Sequence, residues 1–263
     1  MDRLEIIRHE SDRFAEVLRD ADPEARVPTC PDWTAHDLLW HLTEVHLFWA
    51  GILGGNALTD EDVEAVENAK PERPADFAGL LGLREYATLQ LLTQLTALGD
   101  DEPRWTWWPA EQTVGFTRRM QTYEATMHRI DAELAAGVDL SPITLEVAAG
   151  AVDHCVDVMW GWIPDWAEQE SKAVTEFVAS DTGDRWLVDV GRWWGTGPQS
   201  GNEFDVTCAV RASEGAEPTG TVSGPVEQLA LWAWSRGPFD SVAVEGSPDA
   251  VAAVRALIDE GIP

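Results

Sequence analysis

The alternation of apolar and polar positions changes character about halfway along the chain. Over residues 2–20, Leu4, Ile7, Phe14, Val17 and Leu18 recur at spacings that fall on one helical stripe. A second stripe passes through Leu38, Val45, Phe48 and Ile52, in a run from Trp33 to Gly51 and just beyond. Thr34 and Asp37 open it in capping-box order, with Asp in place of the usual Glu or Gln. Residues 75–98, ADFAGLLGLREYATLQLLTQLTAL, predict a third helix. Phe116, Met120, Tyr123, Met127, Ile130 and Leu134 predict a fourth, which Gly137 stops. Four successive amphipathic helices predict a helical bundle.

The connections differ in kind. Residues 58–74 are acidic and contain Pro, and read as a solvated loop. In GDDEPRWTWWPAEQTVG, Trp105, Trp107 and Trp108 beside Pro109 form either satellite core or a packed loop over the open end of the bundle. After Gly137, residues 144–162 read as helix. VTEFVAS, RWLVDVG, FDVTCAV and PTGTVSG are short, rich in β-branched residues and bounded by turn formers, so they read as strands of an antiparallel sheet. The helix PVEQLALWAWSR, the strand SVAVEG and a final helix follow, the last with Ser247 as N-cap, Pro248 at its first position and Gly261 as stop. The fold class expected is α+β in two domains: a four-helix bundle over 1–142 and an α+β domain over 143–263.

Composition narrows the class of function. A chain of 263 residues that is 44% hydrophobic, with 14 Trp, has ample material for packed cores. A net charge of −29 makes nucleic acid and anionic membrane poor partners. The N-terminal sequence alternates charged and apolar residues, and no run approaches the ~20 apolar residues that cross a bilayer. The expectation is a cytoplasmic protein, monomeric or a small homo-oligomer. The 3 cysteines, Cys30, Cys155 and Cys208, lack C-x-x-C spacing, which argues against a disulfide framework or a cysteine-rich zinc knot. Cys155, in an apolar helical run, reads as a small buried hydrophobe.

The candidate chemistry lies on the second and fourth helices. Glu124 and His128 stand four residues apart and share a face beside the apolar seam. His41 occupies the second stripe, interrupting an apolar face, whereas His36 and His46, five residues to either side, point elsewhere. Two imidazoles and a carboxylate make a three-ligand set suited to zinc, with a fourth position left for water or substrate. The spacing is equally that of an i,i+4 ion pair beside a hydrogen-bonded core histidine, and both readings stay open on spacing alone.

Four segments, VPTCPDWTAHDLLWHL (27–42), WTWWPAEQTVGFTRRMQTYEATMHRIDAELAAG (105–137), LEVAAGAVDHCVD (145–157) and VSGPVEQLALWAWSRG through VAVEGSPDAV (222–251), carry a further signal. Together they resemble the mycothiol-dependent maleylpyruvate isomerase family, a branch of the DinB-like metal-binding bundles, over essentially the whole chain. The resemblance implies that His41, Glu124 and His128 bind a divalent metal, usually zinc. It also implies a second domain, similar to sterol-carrier-protein-like folds, that closes over the bundle. Arg236, in Trp-x-Trp-Ser-Arg-Gly, falls where the family has a Gly-Arg or similar dipeptide after an apolar helix; either it caps carbonyls or it contacts an anionic thiol cofactor or substrate. Asp32, where the family often has Gly, and Ile130, where it commonly has Trp, depart from the pattern.

What the resemblance implies for activity is a metal-dependent enzyme that activates mycothiol for addition to a small-molecule electrophile. The outcome is either cis–trans isomerisation or an S-conjugate, and no protein cysteine is needed. Two alternatives accompany it: a DinB-like hydrolase using metal-activated water, and a non-catalytic module in which the second domain holds an apolar ligand. His9, His36, His46 and His154 are assigned structural or surface roles, and Arg118 and Arg119 are expected to neutralise nearby acids.

Overall fold

A computed structural model describes residues 1–262. The chain folds as two compact units, one ending at Ser141 and the other beginning at Pro142. In the first unit, α1 (Arg3–Asp20), α2 (Ala35–Gly54), α4 (Phe77–Ala97) and α5 (Val114–Ala136) are the long helices expected from periodicity, and α3 (Asp60–Ala69) is additional. The Thr34–Asp37 capping box starts α2, with both reciprocal bonds formed. Gly137 ends α5 in the left-handed region at φ 66°, a conformation open to glycine at little cost. Phe14, Leu18, Leu38, Leu39, Leu42, Leu80 and Ala132 form the fully buried centre.

The loop expected over 58–74 is corrected by α3. A second capping box, Thr59 with Asp62, nucleates it, and Asp60, Glu61 and Asp62 in its first turn favour the positive end of the helix dipole. None of its residues is fully buried, so it has too little apolar periodicity to read as helix. A two-stranded hairpin, β1 (Arg26–Val27) with β2 (Cys30–Thr34), leads into α2 and packs its first strand against α5.

The Trp-bearing loop packs on the bundle. Trp105 stacks on Trp49 at 6.2 Å and donates to Asp60 Oδ1 at 3.0 Å, while the Trp107 indole N–H points at Met120 Sδ at 3.2 Å.

The second unit opens with α6 (Leu145–His154), which widens into one π-helical turn, Cys155–Met159. A five-stranded sheet follows in the order β5-β4-β3-β6-β7, formed by β3 (Glu168–Ala179), β4 (Arg185–Thr196), β5 (Glu203–Arg211), β6 (Gly220–Gly224) and β7 (Ala243–Gly246). The sheet is mixed, which corrects the antiparallel expectation. β5 ends at Arg211, level with Val188 and Thr175, and β6 begins at Gly220, again level with Thr175. The connection therefore moves the chain sideways past β4 and β3 without reversing it, and β6 runs parallel to β3. β3 carries a bulge between Ser171 and Ala173, and Gly191 sits opposite it because a Cβ there would come within 2.2 Å of the Glu170 carbonyl.

α7 (Val226–Ala233) brings the fully buried Trp232 against Phe177, and α8 (Pro248–Glu260) packs against β3, β4, β5 and β7. α8 starts as expected, Ser247 accepting from the amide of Ala250 with Pro248 in the first turn. No helix among the described residues is long and apolar enough to cross a membrane.

Candidate metal centre

α2 and α5 lie side by side in the first unit, and their facing surfaces carry the three side chains that the sequence singled out. A ligand atom from each of His41, Glu124 and His128 lies within 4.8 Å of the others. His128 Nε2 is 3.2 Å from Glu124 Oε2, as helical i,i+4 spacing allows. The His41 and His128 rings meet edge to face with centroids 4.8 Å apart. The Trp33 ring, in β2, also packs against His41, with centroids 4.6 Å apart and the planes tilted by 43°.

His128 is held from behind. Its Nδ1 lies 3.0 Å from Oδ2 of the fully buried Asp131, and Asp131 Oδ1 accepts from the Thr29 hydroxyl at 2.5 Å. Burial pushes the His128 pKa down, but its hydrogen bonds to Asp131 and Glu124 outweigh burial and hold it up at about 9. His41 moves the other way, to about 4, because burial disfavours its charged form and His128 repels it. At neutral pH His41 is therefore an uncharged imidazole with a lone pair to give. Two nitrogen donors and one carboxylate oxygen suit zinc or another borderline divalent ion, and three protein ligands are the pattern of sites that also take a substrate.

The other residues considered fall elsewhere. Arg236 belongs to the second unit, just beyond the C-terminus of α7, where its Nη1 donates to the Trp234 carbonyl at 2.7 Å. Cys155 is fully buried, and burial raises its thiol well above the ordinary value, so it stays protonated. His46 is buried, with Nδ1 2.9 Å from Thr88 Oγ1, and His154 is buried and stacked parallel to Trp234. Arg118 pairs with Asp100 and donates to the carbonyls of Leu95 and Leu98, while Arg119 binds Glu111 through two hydrogen bonds. Of the two departures from the family pattern, Ile130 lies in the core and Asp32 is exposed.

Sequence reasoning missed Trp33, Asp131 and Thr29. Asp131 carried a usable signal, a carboxylate one helical turn after His128. Thr29 carried none, since its contact with Asp131 spans 102 positions.

Residues 4–133 match the family model described as the mycothiol maleylpyruvate isomerase N-terminal domain. The fold also matches a crystal structure of a mycothiol-dependent maleylpyruvate isomerase, at 15% identity and a TM-score of 0.58 over 94% of each chain. A histidine-to-alanine mutant of such an isomerase matches at 14% identity and 0.59, again over 94% of each chain. At these identities the likeness is one of fold. No curated protein sequence matches the chain.

Proposed function

Through residues 4–133 the chain belongs to the family of mycothiol maleylpyruvate isomerase N-terminal domains, and from that premise we propose a metal-dependent enzyme that uses mycothiol to isomerise maleylpyruvate or a similar conjugated electrophile. The observation that carries the reading is the convergence of His41, Glu124 and His128, three donors of the right chemistry within 4.8 Å. These residues would hold the ion. When bound, a divalent cation supplies positive charge that lowers the pKa of a thiol into the neutral range.

The thiol chemistry itself balances without a protein nucleophile. The thiolate sulfur adds to one carbon of the cis double bond, and the π electrons move onto the conjugated carbonyl. Rotation about the resulting single bond, then return of those electrons with loss of the thiolate, gives the trans isomer and regenerates the cofactor. The residues around the site would hold and orient the ion. Neutral His41 offers a lone pair, His128 Nε2 would offer one on releasing its proton to an incoming ion, Glu124 offers one negative charge, and the Trp33 ring packs against His41 at 4.6 Å.

A cofactor-dependence assay tests this reading. Turnover of maleylpyruvate is expected only with mycothiol present, with loss after chelation and return with zinc. Thiol-independent turnover of an ester or amide would overturn it in favour of hydrolysis.

A further inference from the structure

A buried carboxylate requires explanation wherever it occurs, because removing an ionised group from water costs several kcal/mol unless its oxygens find good partners. Asp131 is fully buried on α5, one turn beyond His128. Its Oδ2 meets His128 Nδ1 at 3.0 Å, and its Oδ1 accepts from Thr29 Oγ1 at 2.5 Å. Asp131 is not itself a member of the three-residue donor cluster. Its carboxylate lies on the Nδ1 side of the imidazole, while Glu124 lies on the Nε2 side.

We infer that Asp131, clamped by Thr29, is a positioning residue for the metal: it holds the proton on His128 Nδ1 and so presents Nε2 as the ligand. This inference rests on the metal-site reading above and assigns a role to two residues outside the donor set. An imidazole that donates from Nδ1 to a carboxylate is fixed in tautomer and ring orientation, and is made a more basic ligand at Nε2. Thr29 completes the arrangement from a distant point in the chain. It lies in the turn between Val27 and Cys30, which pair in the β1–β2 hairpin, and β1 packs on α5. The hairpin thus sets one oxygen of Asp131, and through it the angle of His128. Positioned ligands of this kind typically lose 10–100-fold in metal affinity when the carboxylate is removed.

The test is a zinc competition titration of the full chain against a chromogenic chelator, with circular dichroism as the check on folding. Asp131→Asn is expected to bind zinc about 10–100-fold more weakly than the parent. Thr29→Val is expected to lose about threefold to tenfold, and Thr29→Ser, which keeps the hydroxyl, to match the parent. Parental affinity in folded Asp131→Asn, or in Thr29→Val, overturns the inference while leaving the metal site standing. Should Asp131→Asn fail to fold, the Thr29→Val and Thr29→Ser pair decides. A parent chain that binds no zinc overturns the underlying reading instead, so the two failures are told apart.

Discussion

At the scale of single residues, the site is a contest between burial and partners, and His41 and His46, two of the three histidines of α2, are both neutral for the same cause. Burial, helped by the charge of Arg84, lowers the pKa of fully buried His46 from 6.5 to about 3. The unfolded chain therefore binds a proton near pH 6 that the native chain refuses. Stability is then lost as pH falls from about 6.5 toward 3, with a limiting slope of about 1.4 kcal/mol per pH unit. Urea unfolding of chelator-treated protein is expected to show a slope between pH 5 and 6 shallower by about one proton in His46→Leu than in the parent. Parallel slopes would contradict this account of His46. His128, four residues after Glu124 and three before Asp131, escapes the same fate because it has two carboxylate partners. Helical spacing made the Glu124 partner legible in the sequence. The Asp131 partner was equally readable, but a carboxylate at i+3 acquires its meaning only once burial is known.

At the scale of elements, α5 is tied to its neighbours by a buried ionic network one turn past the candidate ligands. Fully buried Glu133 accepts from Arg13 Nε at 3.0 Å, Arg129 Nη1 at 2.8 Å, and the Ser141 hydroxyl and amide at 2.6 and 2.9 Å. Arg129 also donates to Glu10 at 2.6 Å, so the network joins α1, α5 and the segment after α5. Burial opposes the Glu133 charge, but the hydrogen bonds from Ser141 and the two arginines outweigh it and hold its pKa below the ordinary value. Removing one member leaves buried charge unmatched. Glu133→Gln is expected to cost about 3–5 kcal/mol in urea unfolding at pH 7, and a loss below about 1 kcal/mol would show that the network is incidental. The sequence disclosed the elements that bury an apolar stripe and hid those that do not. Periodicity found α1, α2, α4 and α5, whereas α3 depends on a cap and the β1–β2 hairpin on two and five residues of pairing. The direction of β6 was hidden for another cause: it depends on where the 212–219 connection lands, and local residues do not encode that.

At the scale of the whole molecule, the chain combines a helical unit that carries the donor set with an α+β unit that carries Arg236. The formal net charge of −29 disfavours approach of other polyanions. One interrupted stripe and one i,i+4 pair singled out His41, Glu124 and His128 as candidates before any coordinates, while spacing alone left an ion pair beside a core histidine equally open. What the fold adds is that α2 and α5 bring those two features to the same place.

The claim on which the rest depends is that this place binds one divalent ion. The direct measurement is elemental mass spectrometry of the full chain purified without an affinity tag, alongside His41→Ala and His128→Ala, each checked for native circular dichroism. About one equivalent of zinc or another divalent metal per parent chain, with little in either folded variant, is the result the account predicts. A parent that neither carries nor takes up a divalent metal, or variants that retain it in full, would contradict it.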